Sequence, residues 1–318
     1  GIIKNEMLAV KELHATPRVT EIIDSESDVD DEDLIAREDM VVTVSHAGYI
    51  KRVPLSTYRA QRRGGKGRSG MQTKDEDFVD VRRNGLIAMK LDDGEAIVDV
   101  ATASEHDDIM LTTSEGQCIR FAVPEVRVFQ GRTSMGVRGI TLGQQDKVIS
   151  LAILSHFDAT SDERLAYLRR ANSLRRRMGE DVITDGGIDS EENATLVELS
   201  DERFAAMQVS EQILLTVSEN GYGKRTSSYE YRTTGRGGKG IVAMAVNARN
   251  GKLVAVFPVL QDDEIMLVTD GGQLIRCPVG GIRIAGRGTQ GVIVFNTAKD
   301  ERVVSVEHIG DITPQEEE

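Results

Sequence analysis

DEIMLVTDGGQLIR, residues 263–276, contains the pattern that decides the fold. An acidic or polar pair precedes a short apolar run, a turn at glycine follows, and a second run ends in a cation. The same pattern recurs three times in the chain, as EDMVVTVSHAGYIKR (38–52), DDIMLTTSEGQCIR (107–120) and EQILLTVSENGYGKR (211–225). Two apolar runs joined through glycine are typical of a β-hairpin. The sequence therefore predicts four hairpins of one type.

A second glycine-rich element lies downstream of each hairpin, and a further apolar strand follows most of these elements. The glycine-rich elements are QRRGGKG (61–67), TSMGVRGI (133–140), TGRGGKGI (234–241) and GTQGVIVF (288–295). The later strands are AIVDV (96–100), VISLAIL (148–154), LVAVF (253–257) and VVSV (303–306). The turn glycines Gly221 and Gly272 lie 51 positions apart, and such a period with four short strands indicates a blade-type repeat. We therefore predict an all-β fold, a β-pinwheel or propeller-like disc of four-stranded blades, with a short N-terminal helix and a helical insertion.

The net charge of −13 argues against a nucleic-acid ligand until its distribution is considered. Four windows, each running from a turn glycine to the glycine-rich element after it, together carry a net charge of +16, so the remainder carries −29. Residues 24–39 alone hold nine acids against one arginine. Acidic runs of this kind usually stay solvated. The cations therefore concentrate in the repeats.

Equivalent positions of successive blades lie on the same edge of a propeller, so recurring cations predict a continuous basic belt. The belt predicted from the repeats alone contains Lys51, Arg52, Arg120, Lys224, Arg225, Lys239, Arg276, Arg283 and Arg287. Arginine makes forked contacts with phosphate and lysine makes point contacts. A polyanion that follows the belt must bend, which favours duplex DNA as the partner. For any single cation, an ordinary solvated surface charge is the alternative.

The stretch QRRGGKG resembles the signature box of the DNA gyrase A subunit family. GYIKR (48–52), NGYGKRT (220–226), GTQGV (288–292) and GVRGI (136–140) resemble the C-terminal repeats of that family, so the resemblance covers nearly the whole chain. It assigns to the box Gln61, Arg62, Arg63, Gly64, Gly65, Lys66 and Gly67. It implies a non-catalytic pinwheel domain that bends and wraps duplex DNA to present it for strand passage and negative supercoiling.

The resemblance also implies partners and a location. We expect the chain to act with the upstream breakage and rejoining core of a gyrase A subunit. Through that core we expect it to act with the ATPase B subunit, in the bacterial cytoplasm at the nucleoid. The tyrosine that cuts DNA would lie upstream, so we expect no catalytic residue, cofactor or metal in this chain. Two alternatives remain open. One is the corresponding domain of topoisomerase IV, whose box is degraded or absent, and the other is a protein-binding β-propeller.

The predicted domain organisation has four parts. They are the end of a helical arm from the upstream core (1–23), an acidic linker (24–39), the β-pinwheel (40–309) and an acidic tail (310–318). ELHATPRVTEI (12–22) resembles the end of that arm.

The spacing of the first two hairpins departs from the repeat. Gly48 and Gly116 lie 68 positions apart, and the glycine-led segment VRRNGLIAMKL (81–91) has no hairpin of its own. The spacing therefore predicts an internal loss of one or two repeats near Phe78-Val79, which leaves closure of the ring open.

A charged insertion is predicted at about residues 156–210. SDERLAYLRRANSLRRRMG (161–179) has an N-cap-like Ser161, acids in its first turn, cations in its last turn and Gly179 as a stop, so it predicts a basic helix. Residues 180–204 are typical of an acidic, partly disordered loop. The helix cations are either an extra DNA contact or surface charges neutralised by neighbouring acids, and those acids favour the second interpretation. These cations are Arg169, Arg170, Arg175, Arg176 and Arg177.

Other functional classes find little support in the sequence. GRGGKG (235–240) lacks the Ser or Thr that must follow the lysine of a Walker-type loop. The five histidines have no metal-ligand spacing. Cys118 and Cys277 are isolated, which is typical of small buried side chains in a reducing compartment. No apolar run approaches the length of a membrane helix.

Overall fold

The computed structural model describes residues 4–8, 10, 40–54, 88–129, 134–184, 198–298 and 300–309. The chain divides into two compact units, Gly1–Arg37 and Glu38–Glu318. In the first unit, residues 4–8 and residue 10 are helical. The second unit contains the β-repeats. Several predictions fall outside the described residues, namely those on residues 12–22, the linker 24–39, the junction at Phe78-Val79 and the tail 310–318.

The strands follow the repeats found in the sequence. The first repeat contributes β1 (Met40–Ser45), β2 (Tyr49–Pro54) and β3 (Ile97–Ala103). The second contributes β4 (Asp107–Thr113), β5 (Gln117–Ala122), β6 (Val137–Arg138) and β7 (Val148–Ser155). The insertion after β7 contributes α1 (Ser161–Arg177), β8 (Val182–Ile183) and α2 (Asp201–Ser210). The third repeat contributes β9 (Ile213–Ser218), β10 (Tyr222–Ser227), β11 (Ile241–Val242) and β12 (Leu253–Val259). The fourth contributes β13 (Glu264–Thr269), β14 (Leu274–Pro278), β15 (Ile284–Ala285), β16 (Val292–Ile293) and β17 (Val303–Ile309).

A 3-10 turn follows the second hairpin strand in three repeats. These turns are η1 (Val123–Glu125), η2 (Ser228–Glu230) and η3 (Val279–Gly281). The predicted hairpins are confirmed as antiparallel pairs β1–β2, β4–β5, β9–β10 and β13–β14. Their turn glycines have φ angles between 74° and 85°, a backbone region that glycine enters without steric cost. We call the end of each sheet that carries these glycines the turn end.

The blades exchange strands along the chain. β6 of the second repeat pairs with β2 of the first, β11 of the third pairs with β5 of the second, and β16 of the fourth pairs with β10 of the third. Each of the first three sheets therefore takes its outer strand from the following repeat. The fourth sheet has the order β14-β13-β17, and β14 has no outer neighbour among the described residues.

Hydrophobic cores lie between successive blades. In β4, Ile109 and Leu111 pack with Val42 and Val44 of the first blade, whereas Met110 packs with Leu214 of the third. Alternate residues of one strand thus serve two different cores, because successive side chains point to opposite faces of a sheet. Each fully buried aliphatic side chain contributes about 1.5–3 kcal/mol. A strand buried on both faces is continuously apolar, as the sequence IML in β4 is.

The insertion is a pair of helices on the third blade. The predicted basic helix is confirmed as α1, but its N-cap is Thr160 and not Ser161, because the Thr160 side chain accepts a hydrogen bond from Glu163 N and completes a capping box. The prediction of an acidic loop at 180–204 is wrong at both ends. Val182–Ile183 forms β8, which pairs in parallel with β15, and α2 begins at Asp201. Residues 185–197 lie outside the described residues.

Candidate nucleic-acid interface

The predicted box, residues 61–67, lies outside the described residues, but a close sequence copy is described in the third repeat. This copy is GRGGKG at 235–240. Arg236 Nε donates to Glu125 O at 2.8 Å, and its Nη1 donates to Arg138 O at 3.1 Å. Both acceptors belong to the second repeat. The arginine of this loop therefore holds the loop against the preceding blade.

The glycines of the copy allow this close approach. Gly240 has a φ of 77°, and a Cβ atom there would lie 2.2 Å from Cys118 O. No side chain fits at such a distance. Gly237 N donates to Gly139 O at 2.6 Å, which fixes the middle of the loop. Lys239 is exposed and has no partner among the described residues.

The fourth repeat holds its loop in the same way. Arg287 Nη1 donates to Val242 O at 3.1 Å. Val242 ends β11 as Arg138 ends β6, so Arg236 and Arg287 bond to equivalent carbonyl groups of successive exchanged strands. Arg287 is half-buried. This member of the predicted belt therefore makes a hydrogen bond that holds two blades together.

Arg120 and Arg225, two members of the predicted belt, lie inside the protein. Arg120 donates to Asp108 Oδ2 at 2.7 Å and to Ser228 O, in the next blade, at 2.9 Å. Arg225 donates to Ile282 O at 2.5 Å, again in the next blade, and burial lowers the pKa of its guanidinium below the ordinary value. These arginines join each blade to the 3-10 turn of its successor.

Three of the four other belt cations of the hairpins are buried as well. Lys224 is fully buried and its Nζ donates to Gly286 O at 2.8 Å and Thr289 O at 3.1 Å. Lys51 Nζ donates to Ala88 O at 3.1 Å, and burial lowers the pKa of its ammonium group. Arg52 pairs with Glu105 at 3.3 Å and is 6% exposed.

Five of the nine predicted belt cations are therefore buried, and the described structure does not support phosphate contacts by them. We call these five the interior cations: Lys51, Arg52, Arg120, Lys224 and Arg225. Sequence spacing identified repeat-equivalent cations, but it could not show that each side chain points into the seam between blades. A buried cation has to be paired or hydrogen-bonded, and these five use carbonyl groups or a carboxylate for that purpose.

The remaining belt residues reach the surface. Lys239 is exposed, Arg276 is 63% exposed and pairs with Glu264, and Arg283 is partly exposed and pairs with Asp181. Arg276 is the counterpart of Arg120 in the fourth blade, where the described chain provides no following blade to bury it.

Two exposed arginines that the sequence analysis did not single out complete a repeating set. In each of three repeats, a buried residue follows the 3-10 turn and an arginine comes next. These arginines are Arg127, Arg232 and Arg283. We call these three the rim arginines. Arg127 and Arg232 are exposed, and the Arg127 guanidinium lies 4.6 Å from the centre of the Phe129 ring. Aligning RVFQGR (127–132), RTTGR (232–236) and RIAGR (283–287) on their arginines would have found the set.

Opposite charges also link successive blades at the turn end. Glu115 pairs with Lys252 at 2.7 Å, and Glu219 pairs with Arg302 at 3.7 Å. In each pair a turn glutamate of one repeat meets a cation that precedes the last strand of the next. Ion pairs that are this exposed each contribute little stability. The relative position of successive blades is therefore determined mainly by the interior cations and the apolar cores.

Among the described residues, no group of three or more His, Cys, Asp or Glu side chains is placed to hold a metal ion. In the same part of the chain, no helix has the length and apolar character required to cross a membrane.

Comparison with known proteins agrees with this architecture. The family model described as the DNA gyrase C-terminal domain, β-propeller, matches residues 39–80, 76–104, 107–155, 212–260 and 263–309. The DNA gyrase A subunit of Rickettsia bellii is 37% identical over 406 aligned residues that cover 100% of this chain and 44% of the relative. The DNA gyrase A subunit of Granulibacter bethesdensis is 38% identical and covers 96% of this chain and 43% of the relative. The chain thus spans less than half the length of these relatives.

Two solved structures share the fold at 18% identity. One, described as the structure of DNA gyrase A C-terminal domain, has a TM-score of 0.56 and covers 94% of this chain and 74% of its own. The other, the crystal structure of the C-terminal domain of DNA topoisomerase IV, has a TM-score of 0.57 and covers 94% of this chain and 69% of its own. Because the family model matches five segments that span most of residues 39–309, the chain belongs to the family of DNA gyrase C-terminal β-propeller domains.

Proposed function

We propose that this chain binds duplex DNA through the rim arginines, Lys239 and the box, and wraps it as the DNA-binding part of a DNA gyrase A subunit. The observation that carries the proposal is the recurrence of an arginine at one position of three successive repeats, where Arg127 and Arg232 are exposed and Arg283 is partly exposed. Contacts with phosphate position a duplex without reading its sequence. Cations repeated at a structural period suit a partner with a repeating charge.

The interior cations support the proposal indirectly. Arg120 and Arg225 each bond to the 3-10 turn of the next blade, and the rim arginine lies two residues after that turn. The spacing between successive rim arginines is therefore fixed by buried hydrogen bonds. A rigid row of cations can impose curvature on DNA, and smooth bending of a site of 20–30 base pairs costs about 1–6 kcal/mol. Release of counterions from neutralised phosphates offsets that cost.

The wider role follows from the relatives. They are named as DNA gyrase A subunits, and this chain matches 44% of their length. We propose that the chain acts while attached to the breakage and rejoining core of such a protein and, through that core, with an ATPase B subunit. DNA cleavage and ATP hydrolysis then belong to those parts, and this chain supplies the wrapped duplex. A cytoplasmic location at the nucleoid belongs to the same proposal.

A linking-number assay tests wrapping directly. Purified chain is bound to relaxed closed-circular DNA, a nicking-closing topoisomerase is added, the protein is stripped and the linking number is read. We expect a change that grows with the amount of protein. Binding without a change would favour a non-wrapping domain like the topoisomerase IV alternative, and absence of binding would favour the protein-binding alternative.

Matched variants assign the contact. Replacing Arg127, Arg232 and Arg283 by Ala removes three cations from the rim, and we expect weaker binding and a smaller linking-number change. The control replaces Lys147, Arg249 and Arg302, three cations near the turn end, and should leave both unchanged. Equal effects of the two triple variants would show that net charge, and not the rim, governs binding.

The box has its own test. Replacing Arg62, Arg63 and Lys66 by Ala is expected to leave most duplex affinity in place and to abolish the linking-number change. Normal wrapping by this variant would refute a role for the box in wrapping.

A further inference from the structure

Helix α1 is fixed to the third blade by an aromatic cluster. Tyr167 is fully buried, and its ring centre lies 5.1 Å from that of Phe204 in α2 and 4.9 Å from that of Tyr229 in η2. Tyr229 Oη donates to Met207 O at 2.9 Å, and Arg164 Nη1 donates to Tyr229 O at 3.3 Å. The helix therefore holds its outward face at a fixed position relative to η2 and the rim arginine that follows it.

The arginines of the insertion fall into two groups. Arg170 pairs with Asp201 at 2.6 Å, and Arg175 pairs with Glu211 at 2.5 Å. In α2, Arg203 pairs with Glu163 at 2.8 Å. These three are neutralised by acids of the insertion or its border, as one of the two interpretations of the sequence required.

The second group contains Arg169, Arg176 and Arg177. None of the three has a hydrogen bond or ion pair with a described residue, and Arg176 and Arg177 are exposed. Positions separated by seven and eight residues lie on one side of an α-helix, and eight residues span about 12 Å. Leu168 and Ala171 are buried on the other side of the helix. Cations in the last helical turn complement the helix dipole, but that effect does not extend to Arg169 in the middle of α1.

The end of α1 lies beside the rim of the fourth blade. Asp181, four residues after the end of the helix, pairs with the rim arginine Arg283. The next residue, Val182, pairs in register with Ile284 of β15. The C-terminal end of α1, which carries Arg176 and Arg177, therefore lies near the rim arginine Arg283.

We propose that Arg169, Arg176 and Arg177 form an accessory contact for duplex phosphates, which lengthens the path of DNA beyond the rim arginines. This inference rests on the proposed function. A duplex carries one negative charge per about 1.7 Å of its axis, so a helix face of about 12 Å can face several phosphates. Because the contact lies outside the repeats, it adds binding length without adding a blade.

The test measures affinity for a linear duplex of mixed sequence across salt concentrations from about 50 to 200 mM, using the whole chain. The variant R169A/R176A/R177A is expected to bind more weakly and to lose about 0.9 from the log-log salt slope for each phosphate contact removed, about 2.7 in total. Alanine keeps the helix propensity high, and thermal unfolding checks that the fold is unchanged. The variant R169K/R176K/R177K keeps the charges and should keep the slope.

The control is again the triple Ala variant of Lys147, Arg249 and Arg302, which removes the same charge near the turn end. An unchanged slope in R169A/R176A/R177A, with weakened binding in the rim variant, would overturn the accessory contact and leave the proposed function intact. If neither the rim variant nor the helix variant differs from the unmodified chain, the proposed role of the rim arginines fails together with this inference. Loss of both affinity and thermal stability in the lysine variant would show a structural role for these arginines and would also overturn the accessory contact.

Discussion

Arg120 Nε donates to Asp108 Oδ2 across 2.7 Å inside the second blade, and both side chains are buried. The strand registers place Ile213 of the third blade at the position of Asp108. Arg225, the counterpart of Arg120, therefore has no carboxylate on the neighbouring strand and donates to carbonyl groups and to Gln261. Equivalent arginines are thus held by an ion pair in one blade and by neutral acceptors in the next.

Replacing Asp108 by Asn should destabilise the chain by about 3 kcal/mol, because removing one partner of a buried pair leaves the other charge uncompensated. Urea unfolding monitored by circular dichroism measures the change. Glu264→Gln is the matched control, since it breaks the equivalent but exposed pair with Arg276, and it should cost no more than about 1 kcal/mol. Similar losses in both variants would contradict the importance of burial.

Two lysines of the third repeat should respond in opposite ways to replacement by Met. Lys224→Met leaves the buried carbonyl groups of Gly286 and Thr289 without this donor, so we expect a loss of about 2–3 kcal/mol in stability and an unchanged salt slope of DNA binding. Lys239→Met should leave stability unchanged and reduce the slope by about 0.9. Urea unfolding and fluorescence anisotropy of a labelled duplex measure the two quantities. A reduced slope in folded Lys224→Met would place that lysine on the DNA path.

Gly240→Ala should detach the exchanged strand β11 from the second blade. A Cβ atom at Gly240 meets Cys118 O at 2.2 Å, and φ is 77°, so the expected loss of stability is at least about 2 kcal/mol. Gly235→Ala is the control, because a Cβ atom there has no neighbour within 4 Å among the described residues. Hydrogen exchange of the Ile241 and Ala243 amides reports detachment of the strand, because alternate amides face β5 and Ala243 N donates to Gly116 O at 2.8 Å. Full protection of these amides in Gly240→Ala would refute the predicted detachment.

The thiol of Cys118 should be inert in the folded chain. Burial raises its pKa to about 12, against a smaller opposing effect of Arg287 and Lys224, so at pH 8 about one molecule in 10⁴ carries the reactive thiolate. The Cys277→Ser variant leaves Cys118 as the one thiol of the sequence. A disulfide reagent that releases a coloured thiolate on reaction should give no coloured product with the native variant at pH 8, and one equivalent per chain after unfolding in urea. Fast reaction of the native variant would show that the seam between the second and third blades opens.

The sequence predicted the hairpins and their repetition well, because a turn glycine and an apolar strand are local signals. The four turn glycines all take a positive φ, as glycine in a tight turn commonly does: Gly48, Gly116, Gly221 and Gly272. The basic helix was also predicted, since its acids and cations complement the helix dipole within one segment. Its N-cap was assigned one residue late, because both Thr160 and Ser161 can cap a helix.

The role of each cation could not be predicted in the same way. Lys224 and Lys239 are both lysines beside glycines, yet one is fully buried and the other exposed. The difference arises because β10 lies inside the sheet whereas the loop before β11 crosses to the preceding blade. Strand exchange between repeats involves contacts that are distant in sequence, and no local pattern contains them. Arg127 and Arg232 were missed because the repeats were compared at their hairpins and glycine-rich elements, and these arginines lie in the segments between them.

Strand exchange has an evolutionary consequence for this chain. Every sheet from the first to the third is completed by its successor, so each junction has the same strand pairing and a unit of one repeat can be gained or lost between two others without creating a new kind of interface. The region aligned with the Rickettsia bellii relative, 406 residues, is longer than the 318 residues of this chain, which fits a history of such gains and losses. Under the proposed function, gene duplication or deletion in steps of one repeat would adjust how much DNA the domain engages, and selection could tune that length without redesigning the protein.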